Sequence, residues 1–284
     1  MDREKDHGEQ LLKVAYLDCI SGVSGDMLLS ALLDVGWDEK RLRELPPLLG
    51  LKHTNIQIKR VLRHGLSAVN INIVEKPAAS CWRNLDALQG LIADSMLPEN
   101  VKGQAVDVLT SIARAEAKIH GCKPDEIHFH EIGAVDTIID ITGSLLALWD
   151  LEIERVFCSP LPLSRGFVKS SHGMLPVPAP AVVELLKRIP VYPVDETNEL
   201  VTPTGAAIIQ KIAFSFGSVP EMEISAAGYG AGSRDLDSMP NVLRIIVGNR
   251  RADELKTEAI VEMKTLIDDM TPEQLGGLME SFFK

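Results

Sequence analysis

The chain has 284 residues, 45% of them hydrophobic, enough to bury a substantial core in one large α/β domain or in one domain with a smaller companion. Its 29 basic and 40 acidic residues leave a formal charge of -11, which excludes broad contact with nucleic acid or an anionic membrane but leaves room for a small anion at a local donor-rich loop. Cys19, Cys81, Cys122 and Cys158 lack CxxC spacing, the opening MDREKDHGEQ lacks the apolar stretch of a signal peptide, and no run of about 18 apolar residues occurs, so a reduced, soluble, cytoplasmic protein is expected.

The run LLKVAYLDCI (11–20) predicts a buried strand, which SGVSG breaks before Met27, Leu28, Ala31, Leu32 and Val35 recur at helical spacing. Ser24 is placed to cap that helix, Asp26 falls in its first turn, and Gly36 stands where a left-handed stop belongs. Residues 55–75 alternate around His64-Gly65-Leu66 and predict an antiparallel ribbon, followed by a mobile surface link over 76–84. Val101, Ala105, Val108, Leu109, Ile112 and Ile119 predict an amphipathic helix from Pro98 to His120 that Gly121 ends. Val135, Ile138, Ile139, Leu145, Leu146 and Trp149 define the apolar face of another helix, and a short strand follows at Arg155–Cys158.

Pro160 and Pro162 force an extended path, and Pro178 and Pro180 precede the helix AVVELLK, which Pro190 terminates. Thr202-Pro203 supplies an N-cap and a first-turn proline before GAAIIQKIA. GYGAGSRD (228–235) predicts a Gly-rich turn, NVLRIIVG (241–248) a strand, and NRRADELK (249–256) a linker. The remainder predicts a strand and a helix capped at Thr271-Pro272-Glu273, too short to bury a core alone.

Three constellations could carry chemistry. If His128-Phe129-His130 is extended, both imidazoles point to one side, with α-carbons about 6–7 Å apart, and can share a divalent ion. Asp136 and Asp140 lie one helical turn apart, on a polar-to-small stripe with Gly143 and Ala147, so they could approach the same ion; a mixed nitrogen and oxygen shell suits Mn, Fe, Co, Ni or Zn. The bland alternative is surface histidines and acids favoured at a helix start. Ser21, Gly22, Ser24, Gly25 and Asp26 form a turn at a helix N-terminus of the kind that cradles phosphate or carboxylate, or simply a tight connection. Asp18 at the strand end is a ligand or a cap on the same terms. Arg165 and Lys169 with His172, and Thr202, Thr204 and Gly205 at a second helix start, mark further loops with binding potential or with a merely structural role.

Taken together, YLDCISGVSGDMLLSALLDVG, HFHEIGAVDTIIDITG, SPLPLSRGFVKSSHGMLPVPAPA, ELVTPTGAA and GYGAGSRD…PNVLR closely resemble the LarC family of nickel insertion proteins, over about Val14 to Glu273. The resemblance implies a cyclometallase of the lyase or chelatase class. It would insert Ni²⁺ into pyridinium-3,5-bisthiocarboxylic acid mononucleotide, with CTP and Mn²⁺ or Mg²⁺, to make the nickel-pincer nucleotide of lactate racemase. Nickel–carbon bond formation also expels a ring proton, for which His130, Glu131 and His172 are the candidate bases by residue type. Asp18, His128, His130, Asp136 and Asp140 are the candidate metal ligands. Family members usually continue past DDMTPE into a second domain, to which CTP binding is assigned, so a C-terminal companion chain or self-association is expected. Lactate racemase apoprotein would be the downstream acceptor.

The expected fold is α/β, a mixed sheet with flanking helices, with residues 1–250 as the metal- and nucleotide-handling domain and 251–284 as a linker and the incomplete start of a C-terminal domain. Two other functions remain open at this level: a non-catalytic nickel or cofactor carrier, and a metal-dependent hydrolase, whose further histidines would have to come from His172 alone.

Overall fold

Strand β1 (Leu11–Asp18) forms on the first apolar run, and its side chains alternate: Ala15 and Leu17 enter the main core, while Leu12, Val14 and Tyr16 join a smaller cluster with Phe157. The computed structural model describes residues 11–51, 54–75, 84–127, 135–170 and 173–251. After β1 come α1 (Gly25–Asp34), α2 (Glu39–Leu48), β2 (Thr54–Arg63), β3 (Leu66–Glu75), α3 (Leu85–Ala93), α4 (Glu99–His120) and α5 (Val135–Asp150). The order continues with β4 (Arg155–Cys158), β5 (Leu161–Leu163), β6 (Gly166–Ser170), β7 (Gly173–Val177), α6 (Pro180–Leu185), β8 (Val191–Pro193), α7 (Pro203–Ile212), β9 (Ala213–Phe216), β10 (Glu223–Ala231) and β11 (Val242–Arg251).

Seven strands make one sheet in the order β2-β3-β10-β11-β1-β4-β9, with two small ribbons, β5-β8 and β6-β7, beside it. The sheet is mixed: β1 runs antiparallel to β11 and parallel to β4, and β4 is parallel to β9. The expected ribbon is β2-β3, closed by His64 and Gly65 at φ 48° and 84°, the positive values a tight right-twisting hairpin needs. β3 meets β10 at one register pair, Val69 with Gly230.

Helix α1 lies on β10 and β3, and α5 and α7 pack against it in turn. The reason corrects the sequence reading of GYGAGSRD as a turn, because Gly228–Ala231 are extended residues of β10. A Cβ on Gly230 would collide with the Met27 carbonyl oxygen, and one on Gly228 would lie 2.5 Å from Val35 N, so these glycines let the α1 backbone rest directly on the strand. Gly230→Ala is therefore expected to push α1 off the sheet and cost about 3 kcal/mol in urea unfolding; a change below about 0.5 kcal/mol would contradict this contact.

Helix α4 ends on Gly121 at φ 66°, as its spacing predicts. Trp149, expected on the buried face of α5, is 52% exposed, although Leu145, Leu146, Ala147 and Leu148 just before it are buried. Helix α6 stops at Leu185, short of the Pro190 boundary. Asn249–Arg251, expected in a linker, complete the ladder opposite Leu11–Lys13. Helix α2, which carries Pro46 and Pro47, and α3 had no counterpart in the sequence reading. The surface link at 76–83, the histidine segment 128–131, His172 and the tail from 252 onward lie outside the described residues.

Candidate functional site

The starts of three helices, α1, α5 and α7, border one cleft of about 830 Å³. That volume is in the range of small-ligand and cofactor sites. The α1 and α7 starts are zipped together by backbone: Val23 N donates to the Leu200 carbonyl at 2.9 Å, and Thr202 N donates to the Val23 carbonyl at 3.1 Å. Gly22 and Gly205 make the approach feasible, since a Cβ on either would strike the opposing backbone at Leu200 or Val23. Two loops that are about 180 residues apart in sequence thus form a single wall, by the close backbone approach a glycine allows.

That wall commits several of its backbone donors internally. Gly22 N donates to the Cys19 carbonyl at 3.0 Å, Gly205 N to Thr202 Oγ1 at 3.2 Å, and Met27 N to Asp26 Oδ1 at 2.9 Å. Ser24 holds the expected extended cap conformation but makes no side-chain bond to the helix backbone; its hydroxyl donates to Asp26 Oδ1 instead. Thr202 does cap α7 as predicted.

Carboxylates dominate this end of the cleft. Asp26 and Asp140 approach from α1 and α5, with Asp136 one turn ahead of Asp140. Burial pushes the Asp26 carboxyl above its usual range, against hydrogen bonds from Ser24 and Met27 that lower it. Asp140 is only 8% exposed and is pushed well above the usual carboxylate range, first by burial and then by the charges of Asp26 and Asp136. Its Oδ1 is buried without a hydrogen-bond partner among the described residues, while Oδ2 faces Gly25, where a Cβ would lie 2.6 Å away. A buried, unpartnered carboxylate oxygen is costly unless a proton or a cation satisfies it. Asp136 is exposed and accepts from Thr137 N at 2.8 Å.

Of the residues singled out from sequence, Ser24, Gly25, Asp26, Asp136, Asp140, Thr202 and Thr204 line the cleft. Asp18 does not; it pairs with Arg244 across β1 and β11. Ser21 donates to the Pro240 carbonyl at 2.6 Å, and Gly22 and Gly205 serve the zipper. Arg165 is exposed and 3.2 Å from Asp195, away from the cleft. The Lys169 backbone pairs with Met174 in β6-β7, and its side chain lies outside the described part. His128, His130, Glu131 and His172 also lie outside it. Among the described residues, no group of three His, Cys, Asp or Glu could hold a metal ion.

Glu116 and His120 at the end of α4, Lys59 on β2, and Asn70 and Asn72 on β3 also line the cleft, none of them singled out from sequence, and so do Glu199, Ser233 and Arg234 from the ELVTPTG and GYGAGSRD segments. The Glu116–His120 pair, one helical turn apart with His120 Nε2 3.6 Å from Glu116 Oε2, had a legible signal in its spacing. The strand residues had none, because alternation marks every second position of a ribbon alike.

The family described as nickel insertion protein matches residues 15–284. A Desulfitobacterium hafniense protein named pyridinium-3,5-bisthiocarboxylic acid mononucleotide nickel insertion protein is 44% identical over 278 residues, 96% of this chain and 69% of the relative. A Staphylococcus epidermidis protein of the same name is 42% identical over 275 residues, 95% of this chain and 68% of the relative. No solved structure matches the chain. With a cleft rich in carboxylates and a family match spanning nearly its whole length, this chain belongs to the nickel insertion protein family.

Proposed function

We propose that this chain inserts Ni²⁺ into pyridinium-3,5-bisthiocarboxylic acid mononucleotide, and that the cleft bordered by α1, α5 and α7 is where nickel and nucleotide meet. The observation that carries this reading is Asp140, a carboxylate buried at that cleft with one oxygen left for a proton or a cation.

Nickel is the substrate here, so its site must release it. Carboxylate and imidazole donors suit that task, because the thiocarboxylate sulfurs and ring carbon of the acceptor bind Ni²⁺ more strongly and draw it away. Asp136 and Asp140, with His128 and His130 from the segment just ahead of α5 in the sequence, supply a mixed oxygen and nitrogen set. Asp26 raises the negative charge beside them. For each nickel–carbon bond formed, one ring proton leaves to a base, and His130, Glu131 and His172 are the candidates.

On this reading the reaction is CTP-dependent and assisted by Mn²⁺ or Mg²⁺, held mainly by a C-terminal domain. A companion C-terminal chain or self-association completes the protein, lactate racemase apoprotein receives the product, and the setting is cytoplasmic. Among the described residues, no helix is long and apolar enough to cross a membrane.

Single-turnover assays with ring-deuterated substrate, Ni²⁺, CTP and Mn²⁺, with and without the C-terminal partner, test this directly. Loss of the deuteron in step with nickel uptake is expected, and Asp136→Asn should slow it about tenfold or more. Nickel uptake without any nickel–carbon product would instead make the chain a carrier.

A further inference from the structure

The helix starts that border the cleft are poor places for the nucleotide's phosphate, although a helix N-terminus normally attracts one. Asp26 and Asp136 stand in the first turns of α1 and α5, and Asp140 lies one turn further along α5. A phosphate placed there would meet three carboxylates at close quarters.

The strand side of the same cleft has the opposite character. Lys59 on β2 lies directly across the ladder from Asn70, and Arg234 stands in the loop after β10; both cations line the cleft. Neither has an ion-pair partner among the described residues, which leaves both charges to a ligand in the cleft they line. The Arg234 loop is firmly anchored by its other groups. Asn241 Nδ2 donates to the Arg234 carbonyl at 3.0 Å, Arg63 Nη2 to the Gly232 carbonyl at 3.0 Å, and Ser238 Oγ to Glu196 Oε2 at 2.8 Å. Glu196 is held down to about 2 by the Asn198 backbone N–H and then the Ser238 hydroxyl, so it stays an acceptor for that anchor. The loop therefore fixes the Arg234 main chain while leaving its guanidinium uncommitted.

We propose that Lys59 and Arg234 form an anion-binding end of the cleft that takes the phosphate of a mononucleotide, with the pyridinium ring reaching toward the carboxylate end. The proposal rests on the nickel-insertion reading. It makes the cleft polar along its length: phosphate on the strands, metal at the helix starts. This assignment replaces the Ser21–Asp26 turn as the phosphate site.

Calorimetry with the mononucleotide and with its dephosphorylated nucleoside tests it. Wild-type protein should bind the mononucleotide at least about tenfold more tightly, since charge-assisted contacts to phosphate are the stronger kind. Lys59→Ala with Arg234→Ala should bring that ratio to within about twofold by weakening the mononucleotide alone, whereas Lys59→Arg with Arg234→Lys should preserve most of it. A full ratio in the double alanine variant overturns the proposal, as does equal weakening of both ligands. Asp136→Asn separates the two readings, because it should slow insertion while keeping the ratio. Wild-type protein that binds neither compound overturns the nickel-insertion reading and this one with it.

Discussion

Replacing Asp140 by asparagine is expected to stabilise the metal-free protein at neutral pH while reducing nickel insertion about 100-fold or more. The Asp140 carboxyl is buried beside Asp26 and Asp136, and its folded pKa lies well above the ordinary value near 3.8. A carboxyl whose pKa is raised on folding binds more protons in the native than in the unfolded state. Stability therefore falls as pH rises from the unfolded value through the raised folded one, and the whole penalty is present above it. Asparagine keeps the shape and removes the charge. The melting temperature of the apo variant should exceed wild type by about 2 °C or more at neutral pH and converge with it below about pH 4. Scanning calorimetry over that range measures the difference, and equal melting temperatures at neutral pH would show that Asp140 is not held against its own charge.

His128→Ala combined with His130→Ala should weaken Ni²⁺ binding by about 100-fold or more, with each single change accounting for a part. Two observations carry this. Imidazole nitrogen is a good Ni²⁺ donor, and no three described side chains of the ligand types come together well enough to hold an ion without help. In sequence the two histidines stand just ahead of α5, the helix that delivers Asp136 and Asp140 to the cleft. Titration calorimetry with Ni²⁺ gives the result; undiminished affinity would leave the histidines as structural residues and move the metal elsewhere.

Much of the scaffold was legible in the chain because its signals are local. The Gly121 stop of α4, the Thr202-Pro203 start of α7 and the His64-Gly65 hairpin each depend on a few adjacent residues, and each appears where the pattern puts it. Gly228 and Gly230 misled the reading because glycine marks both turns and close packing, and only the position of α1 distinguishes them. Asn249–Arg251 misled it because a polar strand end looks like a linker until its partner β1 is known.

The site was legible in part for the same reason. Asp26, Asp136, Asp140 and Thr202 stand in the early turns of helices that sequence marks, whereas their convergence depends on contacts between distant segments: the Val23–Leu200 and Thr202–Val23 bonds join α1 to α7, and Gly25 of α1 lies against Asp140 of α5. Asp18 was singled out by its strand-end position alone, and Arg244, which pairs with it, is 226 residues further on. Lys59 and Arg234 share no motif, and only the fold brings them to one cleft.

The most direct measurement is the fate of the ring deuteron in a single turnover followed by mass spectrometry, run side by side on wild-type protein and the His128→Ala/His130→Ala variant with CTP, Mn²⁺ and the C-terminal partner supplied. Stoichiometric nickel gain and deuteron loss are expected in the wild type and neither in the variant. Equal product from both, or nickel bound by the wild type with the deuteron retained, would contradict it.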